Sequence, residues 1–246
     1  TTIAVPGHDT TCAYDAMPAN ADGSDIFLSS GTWSLVGFES DQPLLGAEAQ
    51  AANVANDRTG RGGYRPLVNV IGLWLLEGIL GSFASRPKNA SGWKTLIQAA
   101  ASLPAPKRLL DVTDPAFANP PSMKAAIDAQ LKKHRVKPPK DLTTYVRLIC
   151  DSLGQGHADV VSRFERLANR KFSRILMVGG GAKNALLCQA TATAAGLAVY
   201  AYQLEGSAIG NLANQLITLR AVKDLPTFRA TLATQLKPKI YHPNHG

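Results

Sequence analysis

The stretch from Arg174 to Ala195 constrains this chain more than any other. Five residues of buried-strand type, Arg-Ile-Leu-Met-Val, run into three consecutive glycines, Gly179-Gly180-Gly181, and then into a helix-forming run from Lys183 to about Ala195. Gly196 follows, where a left-handed helix cap belongs. Leu197–Tyr202 supplies a second strand, and Gly206-Ser207 opens a helix to about Arg220. Strand, glycine turn, helix, strand, helix is one half of an α/β domain. A strand that meets a helix through glycines brings backbone N–H groups and a helix N-terminus to the end of a sheet, where such folds receive anionic ligands. The spacing is neither GxxxxGK[ST] nor GxGxxG, because Leu186 stands where a later glycine would be. A third kind of nucleotide turn and plain tight helix–strand packing both remain open.

The amino-terminal third reads as β-rich. Ile3–Pro6 has the pattern of a short strand ending in Gly7-His8-Asp9, with Asp9 or Thr10 capping a helix that runs to Ala16. Ile26–Ser30 and Ser34–Phe38 read as two strands joined at Gly31-Thr32-Trp33. Asp41–Gly63 reads as irregular, and Asn69–Leu80 as a helix on which Asn69 and Glu77 lie about two turns apart. Ser91–Leu103 is a second helical stretch, and Leu109–Asp111 is short and β-like. Ser122 caps a helix from Met123 to His134. Asp141–Asn169 is long and amphipathic, with a break expected near Gly154 and Gly156.

With 246 residues there is room for one large domain or two small ones, and 45% hydrophobic against 18% charged residues is a globular composition. The longest apolar run, near Asn69–Leu80, is interrupted by Gly72, Glu77 and Gly78, so no stretch suits a membrane span. Twenty-six basic and 18 acidic residues leave a net charge of +8, which first of all fits an ordinary basic protein and also suits anionic ligands, nucleic acid or an anionic surface. The basic residues are scattered apart from Lys132–Arg135, and aromatics are only 7% of the chain; both disfavour nucleic acid as the partner. Cys12, Cys150 and Cys188 are far apart and have no metal-ligand spacing, which points to buried thiols in a reducing, cytoplasmic setting. The chain opens on Thr-Thr-Ile-Ala-Val, with neither Met nor signal peptide, and so reads as a piece of something longer.

Three constellations could carry chemistry. Asp9, just beyond an apolar segment, could accept a proton from a substrate hydroxyl; the alternative is a helix cap. Ser29-Ser30-Gly31-Thr32-Trp33-Ser34 could hold phosphate in a tight bend whose glycine admits close backbone approach; the alternative is an ordinary hairpin. Gly179-Gly180-Gly181-Ala182-Lys183-Asn184 is the third, and Glu205–Gly210 reads as a close-packing helix start.

In this order, the pieces resemble the C-terminal domain of FGGY-family carbohydrate kinases, nearest the rhamnulokinase branch. The residues that carry the likeness are Gly-His-Asp-Thr (7–10), Phe-Leu-Ser-Ser-Gly-Thr-Trp-Ser-Leu-Val-Gly (27–37), Asn-Val-Ile-Gly-Leu-Trp-Leu-Leu (69–76), Asp114-Pro115 with Phe117 and Pro120, Val-Gly-Gly-Gly-Ala-Lys-Asn-Ala-Leu-Leu (178–187) and Glu-Gly-Ser-Ala-Ile-Gly-Asn (205–211). The resemblance implies an actin/hexokinase-like, ribonuclease-H-like α/β ATPase domain over residues 1–246: a mixed sheet with flanking helices, forming the nucleotide-side half of a two-domain kinase. It implies ATP and Mg²⁺ as cofactors and a ketose as substrate, phosphorylated at C1 in the rhamnulokinase branch. It implies Asp9 as catalytic base, with His8 and Thr10 as sugar contacts. Gly31, Thr32, Asn69, Glu77, Gly180, Gly181 and Asn184 become nucleotide contacts. It also admits a homodimer.

Two departures stand out. Glu77 occupies a position where that branch carries Gln, and a carboxylate beside phosphates is unfavourable unless a cation offsets it. The N-terminal domain with the family's Asp-x-Gly phosphate loop has no counterpart in these residues, so the chain alone is expected to be inactive. The alternatives are a kinase for L-fuculose, xylulose, ribulose or glycerol, and a non-catalytic nucleotide-binding module of the same fold.

Overall fold

A computed structural model describes residues 2–60 and 62–244. Its frame is a mixed sheet of seven strands among the described residues: β1 (Asp25–Ser30), β2 (Trp33–Gly37), β3 (Ala55–Arg58), β4 (Tyr64–Ile71), β5 (Arg174–Val178), β6 (Ala198–Ala201) and β7 (Lys239–Tyr241). Their order across the sheet is β3-β4-β2-β1-β5-β6-β7. β1, β5 and β6 run parallel, and β2 is antiparallel to both β1 and β4. The carboxyl ends of β1, β4, β5 and β6 therefore share one edge of the sheet with the start of β2.

Alternation sets the two faces. Ile26 and Leu28 of β1 pack with Val160, Val161 and Phe164 of helix α6 (Leu142–Leu167) and with Cys188 and Ala192 of helix α7 (Ala185–Ala195). Phe27 points the other way, stacking on Tyr14 of helix α1 (Asp9–Asp15) with ring centroids 5.0 Å apart. Helix α8 (Gly206–Thr218) lies beside α1, and α9 (Leu225–Gln235) completes that layer. The result is three layers, helix–sheet–helix. A separate helical lobe, α3 (Trp74–Leu80), α4 (Ala90–Ala101) and α5 (Met123–Lys133), packs its own core against the first half of α6.

Several sequence expectations are corrected. No strand forms at Ile3–Pro6 or at Leu109–Asp111. The span Asp41–Gly63 is less irregular than its composition indicates, since it holds a short helix α2 (Ala47–Ala51) and β3. Asn69 and Glu77 do not share a helix: Asn69 belongs to β4, opposite Leu35, and Glu77 lies in the first turn of α3. The run that reads as a helix opens as strand over Asn69–Ile71, which pairs with Trp33–Leu35 of β2, and becomes helical only from Trp74. Helix α6 runs unbroken through Gly154 and Gly156. These glycines admit neighbours instead: a Cβ on Gly154 would stand 2.7 Å from the Ala190 carbonyl carbon, and one on Gly156 would stand 2.6 Å from Val112. Ser122 does cap α5, accepting from the Ala125 N–H at 3.3 Å.

Candidate active site

At the shared sheet edge, β1 leaves through Ser30 and returns as β2 after only Gly31 and Thr32. The bend is tied from both sides. Gly31 N–H donates to the Trp33 carbonyl at 2.8 Å, while Leu73 N–H reaches the Gly31 carbonyl at 2.8 Å. Gly72 and Trp74 N–H groups both donate to the Thr32 carbonyl at 3.1 Å. The approach to α3 is thus clipped onto the bend, and its first N–H groups are already used. Thr32 and Trp33 project outward, Trp33 with 45% of its surface exposed.

The glycine triplet packs directly on the bend's root. Gly179 has φ +87°, open to glycine at little cost, and a Cβ there would fall 2.5 Å from the Ser30 carbonyl oxygen. Gly181 is buried, and a Cβ on it would fall 2.1 Å from the Ser30 hydroxyl. Gly180 is exposed, with the Leu73 side chain as its nearest neighbour. Of the predicted nucleotide contacts, Gly31, Thr32 and Gly180 therefore gather on one surface, and Gly181 supplies the close packing beneath it. Asn69 is exposed on β4, two residues from Ile71, which pairs with Trp33. Glu77 is exposed on α3. Asn184 turns inward: its Oδ1 caps α7 by accepting the Leu187 N–H at 3.1 Å, and its Nδ2 lies 3.5 Å from the Cys150 sulfur.

His8, Asp9 and Thr10 form a second group at the start of α1. Asp9 is exposed; its Oδ1 accepts the Thr10 N–H at 2.7 Å and the Thr10 hydroxyl at 3.2 Å. It is the first helical residue rather than the cap, which is His8. His8 Nδ1 sits 3.0 Å from Asp57 Oδ2, which also accepts the Thr11 hydroxyl at 3.0 Å. That hydrogen bond, and then the negative charge of Asp57, raise the His8 pKa above its usual value. Asp57 escapes sequence reading because it lies in a stretch without periodicity. It faces Arg65 across the β3–β4 ladder, and Arg65 is six residues before Ile71. Those two levels stand about 20 Å apart along the strand.

A buried ionic network holds α1 in place. The Arg65 guanidinium pairs with Asp15 of α1, donates to the Thr11 carbonyl at 2.9 Å and reaches Glu39 at 2.7 Å. Arg229 of α9 clasps both Glu39 oxygens, at 2.8 and 3.0 Å, and the Tyr14 carbonyl at 2.8 Å. Asn214 of α8 donates to Asp15 at 2.7 Å. Burial pushes the Glu39 carboxyl up, but its contacts with Arg229 and Arg65 outweigh that and hold it down at about 2. These residues are scattered through the sequence, so no local pattern announces them.

The fold and the edge describe an α/β domain with two glycine-bearing turns packed together at one end of the sheet. The description "FGGY family of carbohydrate kinases, C-terminal domain" matches residues 26–219, and the chain belongs to that family. Its fold is the actin/hexokinase-like one of the family's C-terminal domain. Among solved structures, a xylulose kinase from Rhodospirillum rubrum superimposes with a TM-score of 0.68 at 15% identity, covering 96% of this chain and 46% of that one. A gluconate kinase from Lactobacillus acidophilus gives 0.65 at 14% identity, covering 97% and 46%. Plasmodium falciparum glycerol kinase with ADP gives 0.65 at 10% identity, covering 96% and 46%. The chain therefore spans less than half the length of these kinases. No helix among the described residues is long and apolar enough to cross a membrane.

Proposed function

We propose that this chain is the nucleotide-side half of an ATP-dependent sugar kinase, with L-rhamnulose converted to L-rhamnulose 1-phosphate as the preferred reaction. The observation that carries the kinase reading is the packing of Gly179 and Gly181 on Ser30, at the root of the Gly31-Thr32 bend and at one sheet edge, in a chain of the FGGY family. The rhamnulose preference rests on the Leu-Ser-Ser-Gly-Thr-Trp-Ser and His-Asp-Thr motifs.

The residues present fit ATP. Gly180 offers exposed backbone for the adenosine side, and the exposed Thr32 offers a hydroxyl for the phosphates. When bound, ATP supplies the phosphoryl group, and the protein's share is positioning and charge stabilisation. No group of three His, Cys, Asp or Glu among the described residues could hold a metal ion, so Mg²⁺ would be held chiefly by the nucleotide's own phosphates, where it would neutralise charge. Asp9 takes the proton of the attacking hydroxyl, for which its exposed carboxylate is free on one oxygen. His8 spends Nδ1 on Asp57 and keeps Nε2 for a sugar hydroxyl, with Thr10 beside it. The sugar lies at the Asp57 end of β4 and the nucleotide at the bend, so that substrate and triphosphate together span the interval past Asn69. A facing domain closes the site and excludes water.

The test uses the intact kinase that contains this chain. Asp9→Ala lowers phosphoryl transfer by about 10²–10⁴-fold and leaves ATP affinity unchanged. An equal loss of ATP binding, or retained turnover, removes Asp9 from the base role. A coupled assay across L-rhamnulose, L-fuculose, xylulose, ribulose and glycerol fixes the sugar; a higher kcat/KM for any of the others overturns the rhamnulose assignment.

A further inference from the structure

Beneath the two turns runs a line of buried polar side chains for which the phosphate chemistry has no direct use. His157 of α6 is 1% exposed. Its Nδ1 lies 3.0 Å from Thr191 Oγ1 of α7, and its Nε2 lies 3.0 Å from Ser34 Oγ of β2. Ser34 Oγ donates to Ser30 Oγ of β1 at 3.4 Å. Ser30, fully buried, is the residue against which both Gly179 and Gly181 are packed, and the next residue begins the bend. One chain of hydrogen bonds thus joins α7, α6, β2 and β1 and ends where both turns meet.

Burial holds the imidazole neutral, with its pKa lowered to about 4. A neutral imidazole donates from one nitrogen and accepts at the other, so the direction of every hydroxyl along the line is fixed with it. Stability alone does not call for this arrangement. Apolar groups of similar shape at His157, Thr191 and Ser34 together would fill the same space, and exchanging a whole hydrogen-bonded set in this way is often neutral, whereas leucine at His157 alone strands the Thr191 and Ser34 hydroxyls. What the polar line adds is a single defined geometry.

We propose that His157 is a positioning residue for the nucleotide: through Ser34 and Ser30 it holds the Gly31-Thr32 bend and the Gly179–Gly181 turn in one fixed relative placement. The proposal rests on the reading of this domain as the ATP-binding half of a kinase. An ATP bridging the two turns then meets preset backbone and does not have to order it on binding.

The test compares His157→Leu, His157→Gln and Ser34→Ala in the intact kinase, by calorimetry with ATP–Mg and by steady-state kinetics. His157→Leu raises the Kd and KM for ATP about tenfold, the scale of one lost buried hydrogen bond, and leaves the KM for sugar unchanged. His157→Gln, which can both donate and accept, restores most of the affinity. Ser34→Ala weakens ATP to a similar degree, and the double variant adds little more. If wild type binds no ATP, the underlying reading fails and the proposal goes with it. If wild type binds ATP and the variants bind it equally well, only the proposal fails. Parallel losses toward ATP and sugar, tracking melting temperature, also overturn it in favour of a purely structural histidine. Should His157→Leu not fold, Ser34→Ala alone decides by the same criterion.

Discussion

Acidification probes the burial of His157 directly. In the folded domain, burial lowers this imidazole from 6.5 to about 4. The unfolded chain regains an ordinary histidine, so it binds the proton first as the pH falls past 6.5. The stability that comes from keeping the group neutral is full above pH 6.5 and drains as the pH falls toward 4, below which both states are protonated. Each pH step of one between those two values is worth about 1.4 kcal/mol, so the loss across the window is about 3 kcal/mol, a sizeable share of a domain's total. Glu39, held at about 2 against an ordinary 4.5, adds its own loss only once the pH falls below 4.5. His8 acts in the opposite sense: its raised pKa contributes stability at low pH that is lost on alkalinisation. Comparing wild type with His157→Gln cancels both. Urea melts followed by the fluorescence of Trp33, Trp74 and Trp93, in steps from about pH 7.5 to about 4.5, give the two curves. Wild type should lose about 2–3 kcal/mol between about pH 6.5 and 4.5 that the variant does not. Curves that run parallel through that window would refute the burial argument.

Other substitutions test the frame around the site. Gly210→Ala would place a Cβ 1.7 Å from the Cys12 carbonyl oxygen. The overpacking cost of about 1–3 kcal/mol outweighs the gain of up to about 1 kcal/mol in helix propensity, so melting temperature should fall. Arg65→Met takes away the guanidinium shared by Asp15 and Glu39 while Asp15 keeps Asn214 and Glu39 keeps Arg229, and should cost about 3 kcal/mol, the low end for breaking a buried ion pair, in denaturant melts. Asn184→Ala removes the α7 cap and should cost about 1 kcal/mol while calorimetry finds ATP affinity unchanged; a selective loss of ATP binding would return Asn184 to the nucleotide.

The parts of this molecule that were legible in the sequence are those where a local rule dominates. Gly31-Thr32 between two apolar strands, the glycine triplet after Arg174–Val178, the Ser122 cap and the αL Gly196 are each set by their immediate neighbours. The rest depends on distant partners. Tyr64–Ile71 is a strand because β2 and β3 flank it, although its apolar run continues into a helix. Gly154 and Gly156 look like breakers and instead admit α7 and Val112. The carboxylate next to His8 is Asp57, 49 positions away, and Arg65, Glu39 and Arg229 meet only after folding. Inward-facing Asn184 shows the limit of motif matching: the same residue type that could touch a ligand is used here to start a helix.

The 26-residue helix Leu142–Leu167 belongs to two hydrophobic cores at once, the lobe at its beginning and the sheet layer at its end. It acts as a common girder, because a rod of nearly 40 Å with no joint carries torque from one end to the other. A tilt of the lobe is therefore a tilt of His157 and of everything it supports. Whatever presses on α4 and α5 therefore reaches the Gly31-Thr32 bend by two routes, through α3, which is tied to it, and through that rod.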